Sequence, residues 1–333
     1  MDNKKGIGIL GASHYLPSKI HTNEELCEQI QGLTQEWIIA KTGIKKRYHV
    51  QINETAADMA VHASRNVIES SALDVKEIGL VVVASFSQDY LFPPLSAKVH
   101  SVLGLSKECQ IIDVNTNCVG LVTAITIASE RMQSDRSIKF GLVIGVELQS
   151  KFTNMADRDT AVFFSDGASA LILGQVAHGF GYSSAKFLTD SSTYESVRLR
   201  AGGSSYPANR KIQDEKALYI EQNGLATWKQ AVTNLPIVIT KLLENEKKNI
   251  DEIDFFIFHQ ANSFLIEYVL KKSKIPSHKT YMNVEEIGNT GAASIGIALS
   301  EAYEKGFIKS GYNIVLAGIG AGFSFGACLF KIQ

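Results

Sequence analysis

The chain has only four cysteines, Cys27, Cys109, Cys118 and Cys328, among 333 residues, and none stands in a CxxC pair or at Cys/His ligand spacing. A disulfide framework and a zinc site are thereby both without support, and the pattern predicts no bound metal. An excess of either charge is also missing. Lys+Arg 33 against Asp+Glu 34 leaves a formal net charge of -1, so nothing in bulk favours nucleic acid or an anionic membrane as partner. No stretch reaches the ~18 apolar residues of a membrane span. The opening MDNKKGIGILGASHYLP is interrupted by Ser13, His14 and Pro17, and reads as a first strand rather than a signal peptide. Low-complexity runs and charge blocks are absent too, and the glycine-rich GIGAGFSFGA lacks the GK[ST] ending of a phosphate loop. What remains is a reducing cytoplasm and a chain, 45% hydrophobic, long enough for one large domain or two halves.

Apolar strand-like runs alternate with longer helical patterns. Strands are expected at 6–12, 78–85, 109–115, 140–147 and 168–174, and again at 254–260, 279–284, 312–320 and 324–332. Continuous runs such as GLVVVAS and FGLVIGVE predict strands covered on both faces. The second series repeats the first: ALDVKEIGLVVVAS resembles KKNIDEIDFFIFHQ, and FGLVIGVE resembles YNIVLAGIG. Two similar halves follow, 1–175 and 176–333. Between their cores, the polar stretch from Thr189 to Gln222 reads as a surface excursion, a lid or a wall of a substrate site.

The organising stretch is DVNTNCVGLVTAITIAS, residues 113–129. A strand ends in a polar turn, and Cys118 sits where an all-round apolar, hence buried, helix begins. Unpaired N–H groups and the positive end of the helix dipole should lower the thiol's pKa and make it a nucleophile. Taken alone, Cys118 fits better as a small buried apolar residue, His259 as a hydrogen-bonded core histidine, and Asn289 as a helix cap or left-handed turn residue. Together they suggest more. All three stand at the ends of strand-like runs, and the second buried helix, from Gly291, matches the cysteine helix in its half.

Over essentially its full length the chain resembles the β-ketoacyl-acyl-carrier-protein synthase III family of the thiolase-like superfamily. The matching motifs are EWIIAKTGIKKR, DVNTNCVG, ADRDTAVFFSDGASA, HQAN, GNTGAAS and GIGAGFSFG. The resemblance implies an α/β, five-layered αβαβα fold built from two similar halves, a homodimer, and a catalytic set of Cys118, His259 and Asn289. It implies that Cys118 takes an acyl group from a thioester, with the N–H groups of Cys118 and Gly322 as oxyanion hole. His259 and Asn289 would then stabilise the enolate formed when a malonyl thioester loses carbon dioxide. Coenzyme A and acyl carrier protein are the implied substrate carriers, with no cofactor. Trp37 and Arg158 would flank the adenine of coenzyme A. Phe92 would close the partner's acyl pocket, and Lys229, Lys271 and Lys272 would meet the carrier protein. Gly318, Ile319 and Gly320 stand where a thiolase carries a second cysteine, which favours decarboxylative condensation. Lys41, Phe264 and Leu225 depart from the arginine, arginine and asparagine common among housekeeping members. These departures leave room for a specialised condensing enzyme or an acyltransferase using a non-malonyl acceptor. A non-catalytic carrier-protein-binding subunit is the reading from another class.

Overall fold

A computed structural model describes residues 5–209 and 214–333, so residues 210–213 of the surface excursion lie outside it. Two sheets carry the architecture. The first runs in the order Gly6–Tyr15, Gly167–Val176, Phe140–Glu147, Ile78–Ala84, Gln110–Val114. Its first three strands pair antiparallel and its last three parallel. The second runs Phe255–Phe258, Asn313–Gly320, Ser324–Lys331, Gly181–Thr189, with the first pair parallel and the others antiparallel. Read from the opposite end, this order repeats four strands of the first sheet with the same sense. The chain crosses from one sheet to the other between Val176 and Gly181.

Five layers result. Helices Ala56–Ser70 and Leu95–Leu103 cover the outer face of the first sheet, and Gly224–Asn245 and Ser263–Ser273 that of the second. Between the sheets lie Gly120–Ser134 and Ser294–Glu304, whose buried Leu121, Ile125, Ile295 and Leu299 join strand residues of both sheets in one core. A helix facing apolar layers on both sides must be apolar all round, and these two are so over their first turns, with Glu130, Arg131, Glu301 and Glu304 confined to their C-terminal ends. Small residues let them meet closely. A Cβ on Gly120 would lie 3.4 Å from the Cβ of Ala292, and one on Gly145 2.5 Å from the Ala292 carbonyl oxygen.

Eight of the nine expected strands form, within a few residues of their expected limits. The exception is 279–284. After the turn Ser277–Lys279 only a single bridge, Phe256 to Thr280, joins the sheet. Gln260 accounts for the irregularity: its side chain donates to the Phe258 carbonyl at 2.9 Å and accepts from Asn283 N–H at 3.1 Å, taking the place of a backbone ladder. Three features were not expected, one of them a ribbon of Val197–Arg198 with Glu221–Gln222 inside the surface excursion. Gly181–Thr189 is a full edge strand, and Lys19–Thr22 pairs with Lys46–His49 in a small separate ribbon.

Candidate active site

The cysteine turn, the histidine strand end and the asparagine turn converge on one cavity of about 930 Å3, lined by Cys118, His259 and Asn289 among others. Cys118 lies in a tight turn, Asn117–Val119, that precedes the helix Gly120–Ser134. Asn117 adopts φ +50, a left-handed conformation that asparagine tolerates better than most residues, and this turns the chain sharply from strand into helix. Gly320 is needed opposite: a Cβ there would stand 2.2 Å from the Thr116 carbonyl oxygen.

The expected lowering of the thiol pKa does not hold. Burial pushes Cys118 up to about 12, and the nearby Glu147 carboxyl adds to the effect. Desolvation of the thiolate outweighs the helix terminus because the cysteine precedes the helix proper, inside an apolar shell. At rest it is a thiol. His259 is buried as well, and loss of hydration lowers its pKa to about 4, so the ring is neutral near pH 7.

Asn289 is oriented by its surroundings. Its Oδ1 accepts from Gly291 N–H at 2.9 Å, which leaves Nδ2 as the free end of the amide. Its backbone is clamped on both sides, donating to Phe163 O at 2.9 Å and accepting from Ser165 N–H at 2.9 Å. Two further side chains in this group were not singled out from the sequence. Ser294 Oγ lies 2.7 Å from His259 Nδ1, and accepts from Gln260 N–H at 3.3 Å. Gln149 lines the cavity and donates to the Asn289 carbonyl. The signal for Ser294 was present in GNTGAAS, where a serine begins a helix without capping it.

The remaining candidates lie toward the mouth or away from it. Trp37 and Lys41 come from the helix Gln35–Thr42, whose terminal Gly43 has φ +73 and packs so tightly on Ser263 that a Cβ would stand 1.7 Å from its Oγ. This seats them beside Phe264. Leu225, at 80% exposure, and Phe264, at 40%, make the rim apolar. The Arg158 guanidinium lies over the Trp37 ring at 5.2 Å from its centroid. That spacing leaves no room for a third planar ring between them. Val197, Arg198, Ile220 and Gln222 of the excursion form another wall, held by Arg198 and Arg200 on Glu221. Gly322, with φ +125, occupies the turn after Asn313–Gly320, between Ala321 and Phe323 of the cavity wall. Phe92 is 85% exposed with Tyr90 and Leu91 beside it, outside the cavity of its own chain. Lys229 and Lys271 are exposed; Lys272 is engaged, donating to the Val232 carbonyl at 2.8 Å and tying two helices together. Among the described residues no cluster of three or more His, Cys, Asp or Glu could hold a metal ion, and no helix is long and apolar enough to cross a membrane.

Comparison with known proteins decides the family. Two models match in chain order: 3-oxoacyl-[acyl-carrier-protein] synthase III over residues 112–191, and the C-terminal part of the same synthase over 243–332. The β-ketoacyl-[acyl-carrier-protein] synthase III of Fusobacterium nucleatum is 34% identical over 327 residues, covering 98% of this chain and 99% of that protein. The chain belongs to the β-ketoacyl-[acyl-carrier-protein] synthase III family. The synthase of the same name from Clostridioides difficile is 36% identical, over 97% of this chain and 98% of its own length. The solved 3-oxoacyl-[acyl-carrier-protein] synthase III of Aquifex aeolicus superposes with a TM-score of 0.89 at 30% identity, covering 98% of this chain and all of that one. The priming β-ketosynthase of the R1128 polyketide pathway superposes with a TM-score of 0.91 at 27% identity, over 100% of this chain and 98% of its own. The protein is thus a thiolase-fold condensing enzyme, an acyltransferase.

Proposed function

We propose that this synthase works through an acyl-Cys118 intermediate, with His259 and Asn289 as the groups that stabilise the enolate. The observation that carries this is the shared cavity in which the three side chains meet although 171 residues (289 − 118) separate the first from the last. The neutral imidazole accepts the Cys118 proton through Nε2 as sulfur attacks the thioester carbonyl, and the N–H groups of Cys118 and Gly322 receive the oxyanion. Collapse expels the carrier thiolate, which leaves with the proton from His259. The malonyl thioester then loses its carboxylate as carbon dioxide, and negative charge moves to its thioester oxygen. Asn289 Nδ2–H and His259 Nε2–H donate to that oxygen. The enolate carbon attacks the acyl carbonyl, the carbon–sulfur bond to Cys118 breaks, and one solvent proton restores the thiol.

The two steps ask opposite things of His259, an acceptor at Nε2 first and a donor there second. Ser294 suits both, because its hydroxyl can accept from Nδ1–H in one tautomer and donate to Nδ1 in the other. Acyl thioesters of coenzyme A and acyl carrier protein are the proposed carriers in a cytoplasmic setting. Trp37, once Arg158 swings aside, would stack the adenine, and Lys229, Lys271 and Lys272 would face the acidic carrier protein. Intact-mass measurement after incubation with a panel of acyl thioesters tests the central step. Wild type should gain one acyl group and Cys118→Ala none; an adduct that persists in Cys118→Ala would end the proposal.

A homodimer is proposed from the apolar tip Tyr90, Leu91 and Phe92, which a monomer would leave in water. Phe92→Asp should convert a dimer to monomer in sedimentation and slow acylation with longer chains. A wild type that sediments as a monomer would remove this part.

A further inference from the structure

Gln149 is a buried polar side chain of the cavity wall whose bonding is half complete. It follows the strand Phe140–Glu147, is 2% exposed, and lines the cavity with Cys118 and Asn289. Its Nε2 donates to Ser165 O at 3.1 Å and to Asn289 O at 2.6 Å. Both amide hydrogens are thereby used, on two carbonyl oxygens that can only accept. The carboxamide cannot be turned over, since Oε1 would then face two acceptors. Among the described residues no group donates to Oε1. A carbonyl oxygen held in a buried wall without a donor is unfavourable unless the contents of the cavity supply one. Burial also shows which end this is. Gln149 and Phe164, at 2% and 6% exposure, lie at the floor, while Leu225 and Phe264, at 80% and 40%, form the rim.

We propose that Gln149 Oε1 is a specificity-determining acceptor for a hydroxyl or N–H carried on the acyl group, so that the enzyme selects a polar-substituted acyl thioester over the plain alkyl one of equal length. This rests on the acyl-Cys118 reading and names the substrate class it serves. Phe86 and Phe164 beside the glutamine supply the apolar remainder of the wall. A site built to bond a substrate hydroxyl rejects the analogue lacking it far more strongly than an apolar pocket rejects an added group. The discrimination therefore falls on alkyl chains.

The test is a competition. Equal amounts of butyryl-CoA and a hydroxybutyryl-CoA, with the hydroxyl on carbon 2, 3 or 4 in separate experiments, are offered to the full chain. The two Cys118 adducts are counted by intact mass. Wild type should favour at least one hydroxyacyl group by roughly tenfold or more, and Gln149→Leu should lower that ratio by a similar factor. Because the ratio is read within one sample, it does not depend on how much of the variant is folded, nor on any displacement of Asn289 that slows both substrates alike. Gln149→Met repeats the loss of the acceptor with an unbranched side chain. Equal adducts in wild type, as when water alone meets Oε1, would overturn the proposal while leaving acyl-Cys118 intact. A preference that survives unchanged in Gln149→Leu and Gln149→Met would overturn it too. No adduct with any thioester would remove both readings together.

Discussion

Asn289→Ala is expected to accept an acyl group on Cys118 at nearly the wild-type rate while its release of carbon dioxide from a malonyl thioester falls by about 10²–10³-fold. The amide's only described partner is Gly291 N–H at Oδ1, so Nδ2 is the group lost to the reaction. The backbone should stay in place, since Phe163 and Ser165 hold it from both sides. In the proposed mechanism acylation places its charge elsewhere, on an oxygen facing the N–H groups of Cys118 and Gly322, and so would not need this donor. His259→Ala should differ. It removes the proton acceptor for a thiol whose pKa is about 12 as well as a donor to the enolate, and both steps should slow by comparable factors. Intact-mass acylation rates beside labelled carbon dioxide release would separate the two. Equal loss of both activities in Asn289→Ala would refute this division of roles.

Acid should unfold the protein earlier than its composition suggests, and Glu147→Gln should make the pH dependence steeper. Burial lowers His21, His49 and His259 to about 4 from 6.5. His21 and His49 stack at 5.0 Å beside the fully buried Arg47, and His21 Nδ1 has no hydrogen-bond partner. The unfolded chain takes up these protons first as pH falls below 6.5. The stability that the neutral rings contribute is therefore complete above about pH 6.5 and is lost toward pH 4. At pH 5 this amounts to about 2 kcal/mol for each histidine. Glu147 acts in the opposite sense. Desolvation raises it from 4.5 to about 8, although Ser87 and the Phe86 N–H bond its carboxyl. The folded chain keeps a proton that the unfolded one releases, so stability falls as pH rises from 4.5 to 8, by about 3 kcal/mol at pH 7. Glu147→Gln removes that loss. Urea midpoints should show it stabilising at pH 8 and nearly neutral at pH 4.5; the same difference at both pH values would contradict the assignment.

Most of the fold was legible because its strands are covered on both faces. GLVVVAS and FGLVIGVE admit no other placement, and the repeat between the halves fixed their order. Where side chains replaced backbone pairing, the pattern misled: KTYMNV, residues 279–284, looks extended, yet Gln260 satisfies that segment from the side. Gly181–Thr189 escaped notice because GYSSAKFLT puts Ser183, Ser184 and Lys186 among its apolar residues while Phe187 stands on the exposed face, so no apolar run or apolar–polar alternation marks it. Cys118 and His259 could be proposed because each follows a strand that the core positions, whereas Asn289 follows the short helix Val284–Ile287 and was marked by its motif GNTGAAS alone. The thiol's protonation could not be read in the same way. A helix start is visible in sequence, whereas the apolar shell that overrides it comes from residues more than 160 positions away, such as Ala292 and Ile295. Gln149 was hidden, and the role of Ser294 left unread in GNTGAAS, for a related reason. Their importance lies in which atom of a partner they occupy, and no spacing reports that.

The close crossing of the two central helices has a consequence for how the enzyme fails. With Gly120 and Gly145 against Ala292, main chain approaches main chain where the halves meet, and the buried Leu121, Ile125, Ile295 and Leu299 around that contact all lose their packing together if the halves begin to part. Separation would wet the buried apolar turns of both helices. A half-assembled molecule therefore has little to hold it together, and the thiol and its proton donors should be lost from one another in the same cooperative event that melts the whole chain.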